Sequence, residues 1–157
     1  MTKLLSVFLA AGLVVALAAP VSAVTERIPI AGNETLVELI DPGRAWTSNG
    51  IEHVRGWTAA YAITGDQYSA GTSTIVANWN LNSSGDGTMW GTNRVRLDAY
   101  DGGWTQSWTA KWSGGTWAGQ GVGHGFGEIA GWQTRIDVWA TGFGTDAFAG
   151  YAFAPGQ

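Results

Sequence analysis

Between Ser73 and Leu81 the chain alternates. Ser73, Ile75, Ala77, Trp79 and Leu81 share one parity, and Thr74, Val76, Asn78 and Asn80 the other. This is the period of a strand with one buried face. A second run follows, with Met89, Gly91, Asn93, Val95, Leu97 and Ala99 alternating against Trp90, Thr92, Arg94, Arg96, Asp98 and Tyr100. A three-residue loop at Ser84-Gly85-Asp86 predicts a hairpin with Trp79 opposite Gly91, Ala77 opposite Asn93 and Ile75 opposite Val95. A third strand, Trp104 to Trp112, returns through Gly102-Gly103. That turn predicts Leu97 opposite Trp108, Val95 opposite Ala110 and Asn93 opposite Trp112, with Arg96 facing Thr109 outside.

The stretch Gly121 to Val138 alternates differently, because glycine occupies most of one parity in its first half. A turn at Ala130-Gly131 predicts Ile129 opposite Trp132, Glu128 opposite Gln133, Phe126 opposite Arg135 and His124 opposite Asp137. On the other face Gly127 then meets Thr134, Gly125 meets Ile136 and Gly123 meets Val138. Alternating glycines weaken a strand, so a column of them points to tight curvature or a close neighbour. The expectation is a barrel with space inside.

Upstream, Glu26 to Ile30 and Thr35 to Ile40 read as short strands, the second stopped by Asp41-Pro42-Gly43. Leu36, Leu39 and Ile40 also have helical spacing, and Asn33 could cap a helix, but Pro42 would limit it to about two turns. Thr47-Ser48-Asn49-Gly50 is a further turn. Ile51 to Thr64 is a strand kinked at Gly56 and ended by Gly65-Asp66. Gly114-Gly115 starts another turn, and Phe148 to Phe153 is the last strand, closing against an earlier one. No 20 to 50 residue repeat occurs. The fold class is all-β: a single antiparallel meander β-barrel of about eight strands.

Composition sharpens this picture. The 24 Gly among 157 residues disfavour long helices, and the 10 Trp supply large flat surfaces for a core or a ligand. Lys3 precedes the apolar run LLSVFLAAGLVVALAAP, and Val21-Ser22-Ala23 has the small residues of a cleavage site. Residues 1–23 are therefore expected to be a signal peptide and 24–157 one barrel domain, secreted or periplasmic and free of the membrane after cleavage. A membrane anchor is the rival reading, but the run is short and Pro20 breaks it. With no Cys, no disulfide staples the domain. The net charge of −4 becomes one unit more negative when Lys3 is removed, which argues against nucleic acid as a partner.

Several apparent motifs fail on their setting. Gly125-x-Gly127-x-x-Ala130 imitates a dinucleotide fingerprint, but no helix pattern follows it, so no cofactor is implied. His124 and Glu128 lie four residues apart along a strand, ~13 Å, which is too far for a dyad. His124 is better read as a solvated surface pair with Asp137 than as a base or ligand. His53 has no visible carboxylate partner, and no Ser-His-Asp, phosphate-loop or zinc spacing stands out, so no metal site is expected.

The run GDQYSAGTSTIVANWNLNSSGDGTMWGTNRV, with GGWTQSWTAKW and GHGFGEIAGW, resembles bacterial secreted relatives of the allene oxide cyclase and dirigent barrels. The resemblance spans about Val54 to Tyr151, and its best motif is the Gly-x-Gly-x-aliphatic hairpin at Gly125, Gly127 and Ile129. It implies an eight-stranded calycin-like barrel, often trimeric, that holds an apolar or phenolic small molecule and can guide cyclisation without a cofactor. Trp132 and Thr134 stand where dirigent proteins usually have small residues, and no residue matches a catalytic position of the plant cyclase.

Two functions of different class follow. In the first, the interior binds a small apolar or aromatic molecule, with Trp79, Trp108, Trp112, Trp132 and Ile136 as walls and Asn93, Gln106 and Thr134 as the polar groups that orient it. Such a site could act as a cofactor-free cyclase or isomerase, since shape alone can hold a reactive conformer. In the second, outward-facing Trp90, Trp139 and Tyr100 make a carbohydrate-binding or interaction surface, or an interface between copies.

Overall fold

The computed structural model describes residues 26–155, so the predicted signal peptide and its cleavage point lie outside the described residues. The strands are β1 (Glu26–Asp41), β2 (Arg44–Ser48), β3 (Ile51–Gly65), β4 (Gly71–Asn82), β5 (Gly87–Leu97), β6 (Gly102–Ser113), β7 (Thr116–Gly127), β8 (Gln133–Gly142) and β9 (Thr145–Ala154). They form one antiparallel sheet in the order β1-β9-β8-β7-β6-β5-β4-β3-β2, closed by an additional β1–β3 pairing. Eight strands make the barrel, and β2 is an extra strand beside β3. Consecutive strands pair throughout from β3 to β9, as a meander requires.

The two short N-terminal strands of the sequence reading are one. β1 pairs with β9 over Glu26–Thr35 and with β3 over Gly32–Asp41, so it is the seam that closes the barrel. Residues 31–34, which looked like a break, stay extended because β9 and β3 flank them, and Asn33 caps no helix. After Pro42-Gly43, β2 resumes pairing with β3, from Arg44 opposite Arg55 to Ser48 opposite Ile51. The hairpin then turns at Asn49-Gly50, both at positive φ (52° and 74°), the geometry of a type I′ turn. The kink at Gly56 is a bulge between Val54 and Trp57.

Within the paired strands the predicted faces hold, whereas Ala99 and Tyr100, beyond the end of β5, leave the alternation, Ala99 exposed and Tyr100 packed on the core; the three predicted registers do not hold. Trp79 lies opposite Met89, not Gly91; Ala77 meets Gly91 and Ile75 meets Asn93. The loop sits one residue earlier, on Ser83-Ser84-Gly85. Gly85 takes its last, left-handed position (φ 80°), and the Asn82 Oδ1 accepts from the amides of Ser84 and Asp86 at 2.9 and 3.0 Å.

Leu97 lies opposite Gly71 on β4 and has no partner on β6; Trp108 faces Gly91, Val95 faces Trp104, Asn93 faces Gln106, and Arg96 faces Gly103 instead of Thr109. Here Gly102-Gly103 is strand and residues 98–101 form the connection. A Cβ on Gly103 would meet the Val95 carbonyl at 1.9 Å, so this glycine admits a close neighbour and does not make the turn.

In the β7–β8 hairpin Gly123 lies opposite Thr134, Gly121 opposite Ile136, Gly119 opposite Val138 and His124 opposite Gln133. Gly127 leaves the strand at φ 67° and starts the turn, with Ala130 N donating to its carbonyl. The turn is therefore longer than Ala130-Gly131, and Ile129 folds back inside to 1 % exposure.

The interior is unequal at its two ends. One end is packed by Ile30, Ile63, Leu97, Trp104, Ile129 and Phe148, with the Trp104 indole donating to the Tyr68 carbonyl at 2.9 Å. Burying these apolar side chains at about 25 cal/mol per Å2 drives the closure. Towards the other end the lining is Ala59, Tyr61, Ile75 and Ala77, with half-buried Leu36, Trp57, Trp79 and Trp108 against them. Small residues there leave the barrel hollow.

Candidate binding cavity

The hollow half is a cavity of about 880 Å3. Its walls include Trp57, Trp79, Trp108, Trp112 and Trp117, and Leu39 and Phe143 stand among the lining residues towards solvent. Phe143 is fully exposed. The tryptophans brace one another: Trp57 meets Trp79 edge to face at 6.2 Å, and Trp108 stacks on Trp117 at 6.4 Å. Glycines opposite them create the room. A Cβ on Gly91 would lie 2.7 Å from the Trp108 ring, and one on Gly123 would lie 2.5 Å from the Gln106 side chain. The glycine column thus lets large side chains cross the barrel.

Of the eight residues expected at the site, six line this cavity: Trp79, Asn93, Gln106, Trp108, Trp112 and Ile136. Thr134 points inward but is 1 % exposed, sealed beneath the cavity, where its Oγ1 pairs with the Gln106 Nε2 at 3.3 Å. Trp132 is elsewhere. It packs on Tyr68 at 5.6 Å and joins the filled end of the core, because the long β7–β8 turn carries it there.

Between the two ends lies a polar layer that sequence reasoning only half identified. Asn93 and Gln106 face each other across β5 and β6, both buried, with the Asn93 Nδ2 donating to the Gln106 Oε1 at 3.4 Å. The same Nδ2 donates to the Glu34 Oε1 at 3.5 Å. Glu34 lies directly opposite Asp146 across β1 and β9, and both are buried inside the barrel, at 7 % and 6 % exposure. Both line the cavity, as does Tyr61. Burial, then the charge of Asp146, pushes the Glu34 carboxyl up to about 7, against the opposing hydrogen bond from Asn93. Burial alone raises Asp146 to about 6. Tyr61 is held protonated by burial and by the same two acids.

A signal for this pair was present. Ile28, Ile30, Gly32, Glu34 and Leu36 share one parity, as do Asp146, Phe148, Gly150 and Ala152. An acid at an inward position of an apolar alternation is a buried acid. What the alternation could not tell is that the two meet, since β1 and β9 are neighbours only through barrel closure.

The remaining candidates disperse. His124 is exposed beside Gln133, while Asp137, its predicted partner, accepts from the Gln120 Nε2 at 3.1 Å. His53 bonds Asn80 at 2.7 Å and stacks on Trp46 at 5.0 Å. The three outward aromatics do not share a face. Trp90 on β5 lies under the Arg55 guanidinium at 4.7 Å, and Trp139 on β8 is separated from it by β6 and β7. Tyr100 stacks on Tyr68 at 5.8 Å by the filled end. Among the described residues no group of three or more His, Cys, Asp and Glu gathers as a metal site does.

No family model matches the chain, and no curated protein or solved structure matches it.

Proposed function

We propose that this protein is a small-molecule-binding barrel whose ligand has an apolar or aromatic body. The observation that carries the proposal is the cavity of about 880 Å3, walled by tryptophans and floored by a few buried polar groups. That volume falls within the usual range for small-molecule sites, and an apolar wall with few convergent polar groups is their usual chemistry. The leader-like segment at residues 1–23 supports export, so the ligand would be met outside the cytoplasm. A cofactor-independent cyclisation or isomerisation is the reaction class that suits such a site. Rigid walls hold one conformer, and a carboxyl poised near neutrality can give or take a proton.

The test is quenching of intrinsic tryptophan fluorescence by lipophilic and phenolic compounds and by oligosaccharides. Saturable quenching by an apolar or aromatic compound is expected, lost in Trp112→Ala and retained in Trp139→Ala. Saturation by oligosaccharides alone, lost in Trp139→Ala, would place the activity on the outer surface and overturn the cavity reading.

A further inference from the structure

The polar floor of the cavity is dominated by a facing pair of carboxyl groups. Glu34 and Asp146 present carboxyl groups side by side, their Cβ atoms about 5 Å apart by the geometry of directly opposed residues. Asn93 is 6 % exposed and lines the cavity, and among the described residues its buried Oδ1 has no hydrogen-bond partner. The orientation of this amide is set by its neighbours. Its Nδ2 faces two acceptors, the Glu34 Oε1 and the Gln106 Oε1, so the Oδ1 is the atom turned away from them. An acceptor this deeply buried costs about 1 to 3 kcal/mol if nothing donates to it.

Charge points the same way. Among the described residues the lining includes three carboxyls, Glu34, Glu52 and Asp146, and no Lys, Arg or His. Glu52 stands nearer solvent, where its Oε1 accepts from the Trp79 indole at 3.0 Å. The arginines of β5, Arg94 and Arg96, are on the outer face, stacked over Phe126. Two buried acids without a cation between them are among the costlier arrangements in a protein interior, and aromatic walls add a preference for positive charge.

Resting on the reading of the cavity as a ligand site, we infer that the ligand carries a protonated amine, and that this ammonium group sits on the floor between Glu34 and Asp146, beside Asn93. An ammonium offers three donors and no acceptor, which complements two facing carboxyls with no cation beside them among the described residues. The apolar body then lies against Trp79, Trp108 and Trp112. A carboxylate or phosphate in the same place would meet two acids, and is rejected. The groups facing the ammonium are Glu34 on β1, Tyr61 on β3, Asn93 on β5, Gln106 on β6 and Asp146 on β9, so only the two carboxyls change charge near neutrality. Because the free pair holds protons up to about 7 and about 6, the cation must displace them, and its affinity rises with pH.

The experiment compares three probes with one body, 4-phenylbutylamine, 4-phenylbutanol and 4-phenylbutyrate, by calorimetry on the mature chain from about pH 5 to about pH 8. The amine is expected to bind at least about tenfold tighter than the alcohol at the upper pH, with proton release and with affinity rising with pH. The alcohol should be insensitive to pH and the carboxylate weakest. The double variant E34Q/D146N should lose the preference for the amine while keeping the alcohol, which also shows that it is folded. Equal binding of amine and alcohol, or tightest binding of the carboxylate, would overturn the amine inference and leave the cavity reading standing. Failure of all three to bind, together with the absence of any quenching ligand, would overturn both.

Discussion

Replacing Glu34 by glutamine removes one ionisable proton from the barrel interior and almost no volume. Well below pH 4.5 the carboxyl is protonated in both the folded and the unfolded chain, so it contributes no dependence on pH there. As pH rises from 4.5 the unfolded chain loses this proton, while the folded chain keeps it until about 7. The unfolded state is therefore favoured progressively across that window, and stability falls as pH rises. At 1.36 kcal/mol per pKa unit, the difference between 4.5 and about 7 is worth about 3 kcal/mol.

The substituted amide cannot titrate, and its oxygen can still accept from the Asn93 Nδ2. Urea denaturation at about pH 4 and about pH 8 should thus show E34Q gaining about 3 kcal/mol on the wild type across the interval. In melting temperature that is roughly 10 °C for a domain of this size. The other acids titrate in both proteins and cancel in the comparison. Parallel pH profiles, within about 1 kcal/mol, would mean that Glu34 ionises normally in the folded barrel, and the buried-pair reading would fail.

Three further changes probe the frame. Gly125→Ala places a Cβ 2.0 Å from the Ile129 carbonyl, a backbone atom that cannot step aside, and should cost at least about 2 kcal/mol in urea denaturation; a neutral result would contradict the way Ile129 folds back into the barrel. Arg55→Ala removes donors from the Val54 and Trp79 carbonyls and the Asn80 Oδ1, and should lower stability by about 1 to 3 kcal/mol. His124→Ala alters an exposed side chain beside Gln133, so stability should stay within about 0.5 kcal/mol and ligand quenching should be unchanged.

The alternation along the chain was enough to assign the inward side of the strands it marked, because side-chain direction in a strand repeats every two residues. Ser73, Ile75, Ala77 and Trp79, and then Asn93 and Val95, needed only their parity to be placed inside. The turns at Asn49-Gly50 and Gly114-Gly115 were equally legible, since glycine or Asn-Gly there supplies the positive φ of a two-residue hairpin.

Level along the barrel was not legible. Moving a loop by one residue slides a hairpin by two and keeps every face, so the alternation is indifferent to whether Trp79 meets Gly91 or Met89. For the same reason Trp112 and Trp132 looked equivalent, yet one lines the cavity and the other packs on Tyr68 at the filled end. Glycine carried the ambiguity: Gly102-Gly103 looked like a turn and is a close strand contact, while Gly127 looked like a strand residue and opens a turn. Glu34 and Asp146 lie at opposite ends of the domain, and each alone was an acid on an apolar face. Only closure of β1 onto β9 sets them opposite one another, buried at the floor of the cavity, where among the described residues no cation lines the wall beside them.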